Sequence, residues 1–132
     1  MVVIDTNLLL RYLLNDDAGQ AKRAQQLLES SSQVTVTPTI VLELVWVLEC
    51  SDCSRGEIAA ALRHVLGLPN MRVANEAAFF RAVQWFEQGM DFADALHLGL
   101  SPATATMATF DKDFVTKARR IEAFPVVVLC PE

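Results

Sequence analysis

Met1-Val2-Val3-Ile4-Asp5-Thr6-Asn7-Leu8-Leu9-Leu10-Arg11-Tyr12-Leu13-Leu14 opens the chain, and the order of residue types in this stretch decides the reading of the fold. Met1 to Ile4 is apolar and largely β-branched, which predicts a short buried strand. Asp5-Thr6-Asn7 is a polar turn, and from Leu8 to Leu14 the apolar residues follow a helical pattern. A strand that passes through an acidic turn directly into a helix is the first unit of an α/β protein.

The same alternation continues along the chain. Asp16-Asp17 starts a second helix whose Ala21, Ala24, Leu27 and Leu28 recur at helical spacing, and Ser30-Ser31-Ser32 ends it. Val34-Thr35-Val36 predicts a strand, and Pro38 suits the first turn of the helix after it, where its missing N–H has no intrahelical partner anyway. That helix carries Glu43 inside the apolar run Ile40 to Leu48. Ser54 with Glu57 forms an N-terminal capping signature for a helix that Gly67 and Pro69 stop near Leu66. Met71-Arg72-Val73 predicts a brief strand. Asn75 is placed to cap a helix with Phe79, Val83 and Phe86 on one face and Gly89 at its end. Asp91 to Leu100 and Asp111 to Arg120 are further helices, and Thr106 to Phe110 and Val126 to Leu129 are strands. Pro102 cuts short the helix that ends near Leu100. The expected fold is therefore an α/β layer structure with a mainly parallel central sheet.

At 132 residues the chain is expected to be a single domain, 1–132, able to bury roughly two-thirds of its unfolded surface. With 52% apolar and 20% charged residues it is globular in composition, without repeats or low-complexity blocks. Ile40 to Leu48 falls far short of the ~20 residues of a membrane span, and Asp5 stands where a signal peptide would be hydrophobic. A cytoplasmic location with no membrane partner is the expectation. The net charge of −5 excludes binding of nucleic acid through a broad basic surface. It does not exclude a nuclease, because a bound cation reverses the local field that a phosphate meets. Lys112, Lys117, Arg119 and Arg120 are the one basic concentration, read either as a solvated helix face or as a phosphate-facing or partner-facing patch.

Four acids stand out by context. Asp5 ends the first strand, Glu43 interrupts an apolar helix, Asp94 opens Ala95-Leu96-His97-Leu98, and Asp111 ends Ala108-Thr109-Phe110. An ionised carboxylate at the edge of a buried segment needs a partner or a cation. In parallel α/β sheets the reactive crevice lies beyond the carboxyl ends of the strands, where Asp5 and Asp111 fall. Hard cations such as Mg²⁺ take oxygen ligands, keep several waters, and sit between one or two carboxylates and a substrate phosphate. The acids together therefore point to metal-dependent phosphodiester chemistry. Each also has a plain structural role open to it. Asp5, Thr6 or Asp111 can cap a helix, Asp91 can cap the helix of Asp94, Asp94 can complement a helix dipole, and Glu43 can be exposed or salt-bridged.

Cys50-Ser51-Asp52-Cys53 has metal-ligand or redox spacing, but a structural zinc site wants four ligands and a redox pair wants a helix start. A structural or incidental role is expected for these cysteines. His97 follows Asp94 by one helical turn and is read as a core or partly buried residue, or as one that orients Asp94. His64 has no partner visible in the sequence.

Taken in order, Asp5-Thr6-Asn7 after a first strand, Glu43 in an apolar helix, Asp91-Phe92-Ala93-Asp94-Ala95-Leu96-His97, and Thr109-Phe110-Asp111-Lys112-Asp113-Phe114 resemble the PIN-domain nucleases. Within that family the compact length and the last two motifs look most like VapC toxins of toxin–antitoxin pairs. The resemblance implies a three-layer fold with helices on both faces of the sheet. It also implies an Mg²⁺- or Mn²⁺-dependent endoribonuclease that acts on RNA, forms a homodimer, and is silenced by a cognate VapB-type antitoxin. By position it assigns Asp5, Glu43, Asp94 and Asp111 to the acidic centre; Asp5 and Asp94, expected to project from helix starts toward the crevice, are the first choice as direct metal ligands. Thr6, Asn7, Asp91, Thr109 and Asp113 are supporting positions. Leu9, Leu13, Val45 and Trp46 are the expected wall of an apolar groove for the antitoxin. A catalytically silent PIN-like module is the alternative outside enzymology. A haloacid dehalogenase-like phosphohydrolase is the alternative within it, weakened because Asn7 stands where that family needs a second Asp.

Overall fold

The computed structural model describes residues 1–131 and divides into two compact units, Met1–Ala74 and Asn75 onward. In the first unit β1 (Val2–Val3) leads into α1 (Thr6–Leu14), followed by α2 (Ala18–Ser30), β2 (Val34–Thr35), α3 (Pro38–Cys50) and α4 (Arg55–Leu66). β1 and β2 pair in parallel, Val2 opposite Val34 and Val3 opposite Thr35. Helix ends follow local chemistry. Thr37 caps α3 through the Ile40 N–H with Pro38 in the first turn. Ser54 Oγ accepts from the Glu57 N–H at 3.1 Å while Glu57 Oε1 accepts from the Ser54 N–H at 2.8 Å, a complete capping box. The core is built from Ile4, Leu9, Val34, Val41, Leu44, Val45, Leu48, Ile58 and Leu62.

Two readings of this unit need correction. The expected strand at Met71–Val73 is a single bridge from Met71 to Val34. Asn70 is drawn aside there, its Nδ2 donating to the carbonyls of Leu28 (2.6 Å) and Ser31 (2.8 Å) at the end of α2. The first strand is buried only at Ile4; Val2 and Val3 are exposed, Val3 to 60%.

The second unit contains α5 (Glu76–Glu87), α6 (Phe92–Leu100), β3 (Thr106–Thr109), α7 (Lys112–Arg120) and β4 (Val126–Leu129). β3 and β4 pair in parallel over four residues, from Thr106 opposite Val126 to Thr109 opposite Leu129. Here too the apolar strand is less buried than its composition predicts: Val127 is in the core but Val126 is 62% exposed. Asn75 does precede α5, yet it sits in the left-handed region (φ 57°) and its side chain makes no capping bond, so the expected cap is not formed. α5 and α6 pack against each other across a short turn in which Gly89 takes a φ of +117°, open to glycine at no cost. Phe86 meets Phe92 edge to face at 5.6 Å. The helices approach closely enough that a Cβ on buried Gly99 would lie 2.7 Å from the Ala78 carbonyl oxygen. α7 buries Phe114, Val115 and Ala118 and ends in Lys117, Arg119 and Arg120, the cationic end a helix dipole favours. The seven helices and the parallel strand pairs among the described residues make this an α/β fold.

Candidate functional site

Asp5 stands between β1 and α1, and its Oδ1 accepts from the Leu8 N–H at 2.9 Å. Helix capping and metal ligation therefore do not compete for the whole carboxylate, since one oxygen completes the cap and Oδ2 has no hydrogen bond among the described residues. Thr6 follows as a buried residue, and its Oγ1 has no hydrogen-bond partner among the described residues. A buried hydroxyl without a partner is costly. Asn7 is exposed and, with Asp5, lines a cleft of about 400 Å³ between α1 and α2.

Glu43 is exposed, against the expectation raised by its apolar neighbours. α3 buries Val41, Leu44, Val45 and Leu48, and the face left over carries Thr39, Glu43 and Trp46, the last 66% exposed. The groove expected at Leu9, Leu13, Val45 and Trp46 is corrected by the same packing. Leu9 and Val45 are fully buried in the core, so Trp46 is the exposed apolar member of that set.

In the second unit Asp94 lies near enough to Asp91 and Asp111 to feel their charge. Asp91 caps α6, its Oδ2 accepting from the Asp94 N–H at 3.2 Å, so its capping role is realised. Asp94 is half-buried in the first turn of α6. Asp111 caps α7, with Oδ1 accepting from the N–H groups of Asp113 (3.0 Å) and Phe114 (3.2 Å). Thr109 Oγ1 accepts from the Asp111 N–H at 3.0 Å and so fixes the turn in which Asp111 sits. Burial pushes the Asp94 carboxyl above the ordinary aspartate range; repulsion from Asp91 and Asp111 pushes it further, against a weaker pull from His97 and Lys117. Asp113 is engaged elsewhere, in an ion pair with Lys117 at 3.2 Å. His97 is exposed, not a core residue, and lies near enough to Asp94 to favour its charge.

The donor set suits a hard cation in kind: carboxylates with an oxygen to spare and, for Asp5, Asp94 and Asp111, no lysine or arginine ion pair among the described residues. Within either unit no three His, Cys, Asp or Glu side chains among the described residues stand close enough to form a cage. Mg²⁺ does not require one, since it binds through one or two carboxylates and completes its shell with water and phosphate. The cysteines supply no competing site; Cys50, Cys53 and Cys130 are all free thiols.

Two features escape a reading of the sequence. His64 accepts or donates at 2.6 Å with the Tyr12 hydroxyl and stacks on its ring, a contact between α4 and α1 that no local signal announces. Arg11 and Arg23 line the same cleft as Asp5. The only trace of this in the sequence is that Arg11 interrupts the leucines of the first helix.

Parallel strands, two of which hand over to helices at the capping aspartates Asp5 and Asp111, define an α/β protein. A model of the PIN domain matches residues 2–120, and the chain belongs to the PIN-domain family. PIN domains are generally nucleases, so nuclease-type chemistry is the function that membership supports. Comparison with curated proteins and with solved structures gives no match. No helix among the described residues is long and apolar enough to cross a membrane.

Proposed function

We propose that the protein is a metal-dependent endoribonuclease that hydrolyses RNA phosphodiester bonds and serves as the toxin of a toxin–antitoxin pair. The observation that carries the nuclease reading is the state of Asp94. It is half-buried, faces the charges of Asp91 and Asp111, and is held at a carboxyl value above the ordinary range by burial and repulsion. A group of like charges held against its own repulsion is stabilised by a cation and is a signature of functional sites.

In this reading Asp5 and Asp94 are the ligands of Mg²⁺ or Mn²⁺, and Glu43 and Asp111 orient water or assist its deprotonation. The ion supplies a Lewis acid for a phosphate oxygen and lowers the pKa of water. The chain's own residues do the rest. Asp91 and the Thr109 hydroxyl hold the turns that present Asp94 and Asp111, and Thr6 and Asn7 flank Asp5. Asp113 is a supporting acid. The attacking oxygen comes from water, its proton goes to a carboxylate, and the P–O bond to the leaving oxygen breaks.

A ribonuclease of this kind needs control, and a small VapB-type antitoxin is the proposed partner. A guanidinium on that partner has carboxylates to pair with. A homodimer and a cytoplasmic location complete the proposal. RNA cleavage by the wild type with Mg²⁺, lost on chelation and in a folded Asp94→Asn protein, tests the enzyme. Relief of toxicity and a stable complex on co-expression with the neighbouring small open reading frame test the partner; a chain harmless alone that copurifies with no such protein would remove the toxin role and leave the nuclease.

A further inference from the structure

In the cleft between α1 and α2, two arginines and a candidate catalytic acid share one cavity. Its volume of about 400 Å³ lies within the range of small-ligand sites. Leu8 and Leu27 give it apolar lining, Gln20 a neutral amide, Asp5 a carboxylate, and Arg11 and Arg23 its positive charge.

The arginines differ in state. Arg11 Nη1 donates to both carboxylate oxygens of Asp16, at 3.0 and 3.1 Å. Its Nε–H is buried and has no acceptor among the described residues. Asp16 is 55% exposed at its side chain, and surface pairs of this kind are weak. Arg23 is exposed and makes no ion pair among the described residues. A tetrahedral anion can take up Nη donors that Asp16 now holds and receive Arg23 as a second cation. Guanidinium groups bind phosphate in this forked manner.

We infer that this cleft is a nucleotide subsite: Arg11 and Arg23 hold a phosphate of single-stranded RNA beside Asp5, with the ribose or base against Leu8 and Leu27. The inference rests on the nuclease reading above for the identity of the ligand. It explains how an acidic chain with a net charge of −5 holds a polyanion, through a local pair of arginines in place of a broad basic surface.

The test is binding, not cleavage. Fluorescence anisotropy of a labelled single-stranded oligoribonucleotide is measured on the full chain carrying Asp94→Asn, in chelator, over a range of salt. Adding Arg11→Gln or Arg23→Gln should weaken binding roughly tenfold, the loss of one charge-assisted contact. Each should also lower the slope of log K against log salt by about 0.7, the single-strand value for one phosphate. Asp16→Asn separates this from a structural role for Arg11. It frees the guanidinium and should bind as tightly as its parent or more tightly. Were Arg11 needed only to pair with Asp16, both changes would weaken binding alike, and that result overturns the assignment for Arg11. Unchanged affinity and slope in the arginine variants, beside a wild type that cleaves RNA, overturns the subsite and leaves the nuclease standing. Arginine-dependent binding by a chain that never cleaves does the reverse. No binding by the Asp94→Asn protein overturns the subsite outright.

Discussion

Replacing Gly99 by alanine probes the packing that presents Asp94. A Cβ at this position would stand 2.7 Å from the carbonyl oxygen of Ala78 and 3.5 Å from its carbon. The neighbour is backbone within α5, which cannot swing aside as a side chain would, so α6 must retreat by about 0.7 Å to restore ordinary contact, at a cost of about 2–3 kcal/mol. Alanine in place of glycine inside a helix returns about 1 kcal/mol. The net expectation is destabilisation by about 1–2 kcal/mol, or a fall in melting temperature of roughly 4–8 °C for a chain of this size. Gly56, in α4, is the matched control, because a Cβ added there meets nothing within 4 Å, and alanine should leave stability unchanged or raise it by up to ~1 kcal/mol. Urea titrations of both variants with a common m-value decide the matter. A Gly99→Ala protein as stable as the wild type, or shifting in the same direction as Gly56→Ala, would refute the close approach of α5 and α6.

Asp5→Asn should keep the cap on α1, because the amide oxygen can still accept from the Leu8 N–H, whereas Asp5→Ala should lose about 1 kcal/mol in denaturant titration; equal stabilities would deny the cap. The raised Asp94 carboxyl makes the folded chain bind a proton more readily than the unfolded chain, so its contribution to stability is fully present below the ordinary aspartate value of 3.8 and is lost as pH rises through the folded value. Metal-free Asp94→Asn should accordingly be more stable than wild type at neutral pH, with the gap closing on acidification; a gap of opposite sign or without pH dependence counts against the electrostatic account. Mn²⁺ or Mg²⁺ at ~100 times its dissociation constant should stabilise the wild type by roughly 2.7 kcal/mol and the Asp94→Asn chain by much less, read as shifts in thermal midpoint.

What the sequence made legible was local. Ser54 with Glu57, Pro38 after Thr37, and Asp111 before α7 each act within one helical turn, and each appears in the structure where its residue type required. β4 was legible for the same reason, since Val126 to Leu129 is a continuously apolar run. Contacts between distant segments were not. Nothing near Asn70 signals that its amide will close the end of α2, and nothing near Tyr12 signals His64. Glu43 was hard to orient because α3 is apolar around most of its circumference, so periodicity does not single out the face that packs. The acids at turns could be found because strand ends and caps are written in neighbouring residues. The arginines of the α1–α2 cleft could not, because the pairing of two helices decides which of their side chains share a cavity.

The most direct test of the central claim is cleavage of a panel of structured RNAs by the purified chain, with and without Mg²⁺ or Mn²⁺, beside Asp5→Asn and Asp94→Asn proteins shown to be folded. The wild type should cleave only with the ion, and both variants should be nearly inactive. Folded variants that retain near wild-type, metal-dependent cleavage would contradict the proposed centre.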